Sequence, residues 1–196
     1  MSPSPTAGDA PSVRSHYQDR IRVDLVIESG VPTPVSQAAL VRTLVRALRA
    51  GSAPAPARIG LTLTDDAQIT HLNEQHMGHD GPTDVLSFPL VDPGSYPAHE
   101  GQDPTVRSMS GPAFVLPPGM RTDLGDIVVS VERAIEQAEQ GRGWHTGDVR
   151  WSAADELRLL VTHGALHVCG WDHAVPAEET AMRALERQLL SGADAG

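Results

Sequence analysis

The sequence predicts a single layered α/β domain, a mixed sheet of about four strands packed with about five helices. Three observations predict it. The apolar period changes back and forth between two residues and three to four, the pattern of interleaved strands and helices. Proline, glycine and serine fall mostly between those segments rather than inside them. Apolar residues make up 40% and charged residues 20% of 196, ordinary globular usage and enough for one core.

Residues 1–17, rich in Ser, Pro, Ala and Gly without an apolar period, read as a disordered tail, and residues 18–191 as the domain. Residues 20–28 alternate with Ile21, Val23, Leu25 and Ile27 on one side, a half-buried strand that Pro32 and Pro34 end. Ser36 is placed to cap a helix carrying Leu40, Val41, Leu44, Val45 and Leu48 as far as Gly51. After a Pro54/Pro56 linker, residues 58–64 read as a strand, and Asp65 or Thr64 can cap a helix through Ile69 and Leu72 to about Gln75. A polar stretch leads to a short strand over 84–88. Residues 92–122 hold six prolines and four glycines and read as a mobile surface insertion. Residues 127–130 make a fourth strand, 131–140 a helix stopped by Gly141, 152–168 a longer helix with Gly170 just beyond it, and Pro176 opens a last helix to Leu190. One strand is allowed to run antiparallel.

Composition excludes several classes. No run approaches the roughly 18 apolar residues of a membrane span, and residues 1–10 have neither a basic head nor an apolar run, so no membrane partner and no secretion are expected. Cys169 is the single cysteine and has no intrachain partner, which fits a reducing cytoplasm. A net charge of −10 weighs against coating nucleic acid with the whole surface, though a local basic patch stays open. All 15 cations are arginines.

The chemistry lies in residues 162–173, Thr-His-Gly-Ala-Leu-His-Val-Cys-Gly-Trp-Asp-His. Four residues along a helix turn a side chain through about 400° with a rise of about 6 Å, so His163 and His167 share a face and converge. Gly170 can take the positive φ that ends a helix and lets the chain double back, bringing His173 to the same point. Three imidazoles suit one zinc ion with a fourth position left to water, a catalytic arrangement. Cys169, about 200° around from His167, should face the core, and Asp172 is better suited to orienting an imidazole than to ligation.

The spacing His-x-x-x-His-x-x-Gly-x-x-His equals that of the metzincin peptidases, which place a glutamate general base after the first histidine. Here Gly164 stands at that position, so peptide hydrolysis lacks its proton acceptor, and the balance shifts toward phosphoryl chemistry.

Three blocks, in order, resemble the YbeY endoribonucleases, which mature ribosomal RNA in bacteria. They are Leu72-Asn73 with residues 81–89 (Gly-Pro-Thr-Asp-Val-Leu-Ser-Phe-Pro), residues 124–130 (Leu-Gly-Asp-Ile-Val-Val-Ser), and His163-Gly164 through Asp172-His173. The resemblance spans about residues 20–190. It implies a zincin-like fold, one zinc held by His163, His167 and His173 as the catalytic centre, and cleavage of single-stranded RNA. It further implies late maturation of the 3′ end of small-subunit ribosomal RNA, ribosome quality control, and partners in the pre-ribosomal small subunit and its assembly proteins. Two departures stand out. Many members carry an arginine where this chain has Met77, and the 92–122 insertion matches nothing in the family pattern.

Candidates for RNA contact are His76 and His79, which flank Met77, and Arg42, Arg46 and Arg49, a basic stripe on a helix without acids. An ordinary solvated face explains the stripe equally well. Asp84 and Asp126, at the mouths of strands, read as structural, Thr83 and Ser87 as possible hydroxyl donors, and Trp144, Trp151 and Trp171 as core or cleft wall. A metal-dependent endoribonuclease leads the functional readings. A zinc-stabilised assembly factor without activity is the alternative that Met77 favours, and a metallopeptidase ranks third.

Overall fold

A computed structural model describes residues 10–102, 117, 119–141 and 151–191. A five-stranded sheet runs β1 (Ser12–Gln18), β2 (Ile21–Ile27), β3 (Ala57–Thr64), β5 (Thr122–Ser130), β4 (Val85–Pro89) from edge to edge. β2, β3 and β5 are parallel, while β1 and β4 run antiparallel to their neighbours, so both edges rather than one strand are reversed. Five helices accompany it: α1 (Gln37–Ala50), α2 (Asp66–Met77), α3 (Val131–Glu139), α4 (Ala153–Val168) and α5 (Pro176–Ser191).

Strand periodicity divides the two faces. Ile21, Val23, Leu25 and Ile27 of β2, with Ile127 and Val129 of β5, are buried against Leu40, Leu44 and Leu48 of α1 and Leu157, Leu160 and Val161 of α4. Each such side chain contributes about 1.5–3 kcal/mol by leaving water. Val128, one residue out of phase, turns to the other face and meets Leu86 and Ile69 of α2 in a smaller cluster. Two caps are as the sequence predicts, Ala39 N donating to Ser36 Oγ (3.3 Å) and Gln68 N to Asp65 Oδ1 (2.8 Å), and Ser152 and Asp155 add a reciprocal capping box.

Two expectations are corrected. The expected tail covers residues 1–17, yet Ser12–Gln18 is a strand; residues 1–9 lie outside the described residues. β1 is an edge strand whose side chains are almost all exposed, so it binds β2 by backbone hydrogen bonds and has no apolar period to read. Its hairpin turns on Asp19 and Arg20, both at positive φ (51° and 66°), without the glycine that signals such turns. β5 begins at Thr122, earlier than residue 127, because Thr-Asp-Leu-Gly-Asp lacks strand composition but continues the ladder with β3.

Residues 92–102 of the insertion are also more anchored than their composition indicates. Pro93–Ser95 forms a 3-10 turn, Tyr96 is buried, and the segment to residue 102 lies against the α4–α5 turn. Residues 103–116 and 118 lie outside the described residues, as do 142–150, including Trp144.

Candidate functional site

Helix α4 crosses the sheet where Gly164 meets β4 and β5. A Cβ at Gly164 would stand 2.8 Å from Ile127 Cγ2 and 3.1 Å from both Ser87 Oγ and Val85 Cγ2, and Ser87 Oγ donates to the Gly164 carbonyl (3.2 Å). Position 164 is therefore a packing contact with the sheet. A carboxylate does not fit there, which removes the structural basis of the peptidase reading.

With that face against the sheet, His163 and His167 point away from it. His163 Nδ1–H donates to Glu186 Oε1 on α5 (2.7 Å), and His167 Nδ1–H donates to the Trp171 carbonyl (2.8 Å). These bonds fix both tautomers and leave both Nε2 atoms as acceptors. The two Nε2 atoms lie only 3.0 Å apart. Gly170, at φ +84°, ends α4 and reverses the chain, and His173 comes back so that its ring centroid lies 5.0 Å from that of His167 and 5.8 Å from that of His163. One nitrogen from each of the three rings falls within 4.8 Å of the others.

Two lone pairs cannot face each other at this distance without a proton or cation between them. Tetrahedral zinc with bonds of about 2.0–2.1 Å needs ligand nitrogens roughly 3.3 Å apart, which fits this cluster. Burial, together with the neighbouring His163 and His173, holds the His167 imidazole down to about pKa 4, so it is neutral at pH 7, as a metal ligand must be. His173 is exposed, and a cavity of about 410 Å³ opens beside His163 and His173 between α3, α4 and α5. Asp84, Gln137, Leu160 and Met182 contribute to its wall.

The sequence brings the three histidines together; it does not bring the RNA candidates with them. Arg42 and Arg49 are exposed and Arg46 half-buried on α1, and Arg49 pairs with Asp19 (2.8 Å). His76 stands edge-on to Phe88, His79 is exposed, and none of these five residues lines the cavity. Cys169 faces the core with 1% exposure, and burial raises its thiol to about 12. Asp172 does not orient an imidazole: its Oδ1 accepts the His173 backbone N–H (2.7 Å) and shapes the turn. Asp84 accepts from Val85 N and from Gln137 Nε2 (2.9 and 3.1 Å), bonds that suit a structural role, and it also faces the cavity. Asp126 is exposed with its Oδ1 over Gly60, and partial desolvation, with the neighbouring Asp123, raises its carboxyl. Trp171 is buried, and the indole N–H of Trp151 donates to Glu156.

Glu186 was missed. Glu178, Met182 and Glu186 recur every four residues and are all buried, so the readable signal was two carboxylates on the core face of an otherwise amphipathic helix.

Comparison with known proteins places these residues in context. The family model described as Endoribonuclease YbeY matches residues 29–194. Three curated proteins named Endoribonuclease YbeY are similar over most of their length. That of Roseiflexus sp. (strain RS-1) is 35% identical over 170 residues, 86% of this chain and 90% of the relative. That of Moorella thermoacetica is 38% identical, covering 78% and 86%. That of Thermobifida fusca is 36% identical, covering 87% and 92%.

Proposed function

The chain belongs to the YbeY endoribonuclease family, and from that premise we propose that it cuts single-stranded RNA at a zinc centre held by His163, His167 and His173. Its activity is hydrolysis of phosphodiester bonds, and its substrate class is ribosomal RNA. The finer reading is late maturation of the 3′ end of small-subunit ribosomal RNA and ribosome quality control in the cytoplasm, on the pre-ribosomal small subunit with its assembly proteins. Among the described residues no helix is long and apolar enough to cross a membrane.

The observation that carries the metal part is the 3.0 Å approach of two Nε2 acceptors whose Nδ1 protons are already committed. A divalent ion held there supplies Lewis acidity toward the phosphate and lowers the pKa of solvent. The protein's part is orientation. Glu186 and the Trp171 carbonyl aim two rings, the Gly170 reversal brings the third, and the exposed side of His173 leaves the centre open to a strand of RNA. Arg42, Arg46, Arg49, His76 and His79 are proposed to hold the RNA backbone away from the cleavage point, since phosphate contacts position a strand without reading it.

The test is cleavage of a 5′-labelled single-stranded pre-ribosomal fragment by purified protein, with and without chelator, alongside His163→Ala. Metal-dependent cutting that the variant lacks supports the proposal. A second reading, a zinc-stabilised assembly factor without activity, is favoured by Met77, which is exposed at the end of α2 where the family resemblance leads one to expect arginine. Co-sedimentation with small subunits together with chelator-sensitive stability and no cutting would select it.

A further inference from the structure

We propose that His99, in the insertion at 92–122, is a positioning residue for the metal centre, acting through Trp171 and Glu178. The proposal rests on the reading that His163, His167 and His173 hold a metal ion.

The residues that join α4 to α5 carry two features of the centre: the Trp171 carbonyl that fixes the His167 ring, and His173 itself. His99 reaches both residues that precede His173, Trp171 directly and Asp172 through Glu178. Its ring lies flat on the Trp171 indole, with centroids 3.9 Å apart and planes at 18°. Its Nε2–H donates to Glu178 Oε1 (2.7 Å), and that same oxygen accepts the backbone N–H of Asp172 (2.9 Å). The side chains of His99 and Glu178 are 9% and 4% exposed, so this bond is shielded from competing water.

Other described residues of the segment are seated to match. A Cβ at Gly101 would meet Glu178 N at 2.5 Å, one at Gly170 would meet Pro93 Cα at 3.0 Å, and Tyr96 is buried. On its other side the Trp171 peptide is held by its N–H to the Leu166 carbonyl (3.1 Å). The Trp171–Asp172 backbone is thus clamped between the end of α4 and the insertion. A shift of this backbone turns the carbonyl away from His167 Nδ1 and moves His173 relative to the other two rings.

Two substitutions separate positioning from bulk stability. His99→Phe keeps a ring against Trp171 and loses the bond to Glu178; His99→Gln keeps a side-chain donor and loses the ring. Cobalt(II) serves as the probe, its dissociation constant and visible d–d spectrum recorded on the full chain after removal of metal, with the thermal midpoint of each metal-free protein. The expected result for His99→Phe is a cobalt affinity lower by about 10–100-fold and a changed d–d spectrum, a loss larger than any fall in its metal-free midpoint accounts for. His99→Gln should recover part of that affinity. Native-like cobalt affinity and spectrum in both variants overturns the proposal, as does a loss of affinity that only parallels a loss of metal-free stability. Failure of the native protein itself to bind cobalt overturns the metal reading, and this proposal with it.

Discussion

His163 and His167 present their Nε2 atoms 3.0 Å apart, and each has its Nδ1 proton engaged elsewhere, by Glu186 and by the Trp171 carbonyl. The arrangement is unfavourable for an empty pair of neutral imidazoles and favourable around a cation. The carboxylate of a different helix is therefore part of the centre.

Replacing Glu186 tests that relationship. Glu186→Ala leaves the His163 Nδ1–H without its acceptor, and metal affinity should fall about 10–100-fold, measured by competition with a chromophoric chelator. Glu186→Gln retains an acceptor oxygen and should keep most of the affinity. Equal losses in both variants would assign the effect to the charge rather than to ring orientation.

Gly164→Ala should destabilise the fold although alanine is the better helix former. The helix gains about 1 kcal/mol in propensity, but a methyl forced against Ile127, Ser87 and Val85 costs about 1–3 kcal/mol. Ile127 is fully buried in the central sheet and has little room to yield. Urea unfolding of the metal-free protein reads the net sign, and a more stable variant contradicts the packing described.

How much was legible follows from the range of each interaction. The α1 cap at Ser36, the His163/His167 face and the Gly170 reversal all depend on residues within a few positions of one another, and the sequence displays them. β1 was hidden because an edge strand bonded through its backbone has no need of apolar alternation. Glu186 and His99 were hidden for another reason: their partners lie 23 and 79 residues away, at His163 and Glu178, and only the tertiary fold brings them together. Over residues 92–102 the proline- and glycine-rich composition reads only as surface backbone, yet this stretch is seated tightly on the α4–α5 turn.

The metal-free protein should lose stability as pH falls from about 7 toward 4. The sign follows from His167: its folded pKa of about 4 lies below the unfolded value of about 6.5, so between these values the unfolded chain binds the extra proton. Below about pH 4 this contribution is gone. Comparing chelated native protein with His167→Gln by thermal denaturation between pH 7 and 5, the variant should show the smaller slope; identical slopes contradict the assignment.

Cys169 should resist thiol reagents in the folded protein at pH 8. Its side chain is 1% exposed, and burial keeps the reactive thiolate scarce by raising the pKa to about 12. Iodoacetamide labelling should proceed only after unfolding. Rapid labelling of the native protein would mean that the end of α4 opens.

Replacing Arg42, Arg46 and Arg49 together by alanine should weaken binding of single-stranded RNA and lower the slope of log affinity against log salt by about 2. Filter binding across a salt series measures it. An unchanged slope would leave the stripe as a solvated helix face.

The most direct measurement is X-ray absorption at the zinc edge of the reconstituted protein, with metal stoichiometry determined on the same sample. The account predicts one ion per chain, multiple-scattering features of three imidazoles, and at least one light oxygen scatterer from solvent. Sulfur in the first coordination sphere, fewer imidazoles, or no bound ion at all would contradict it.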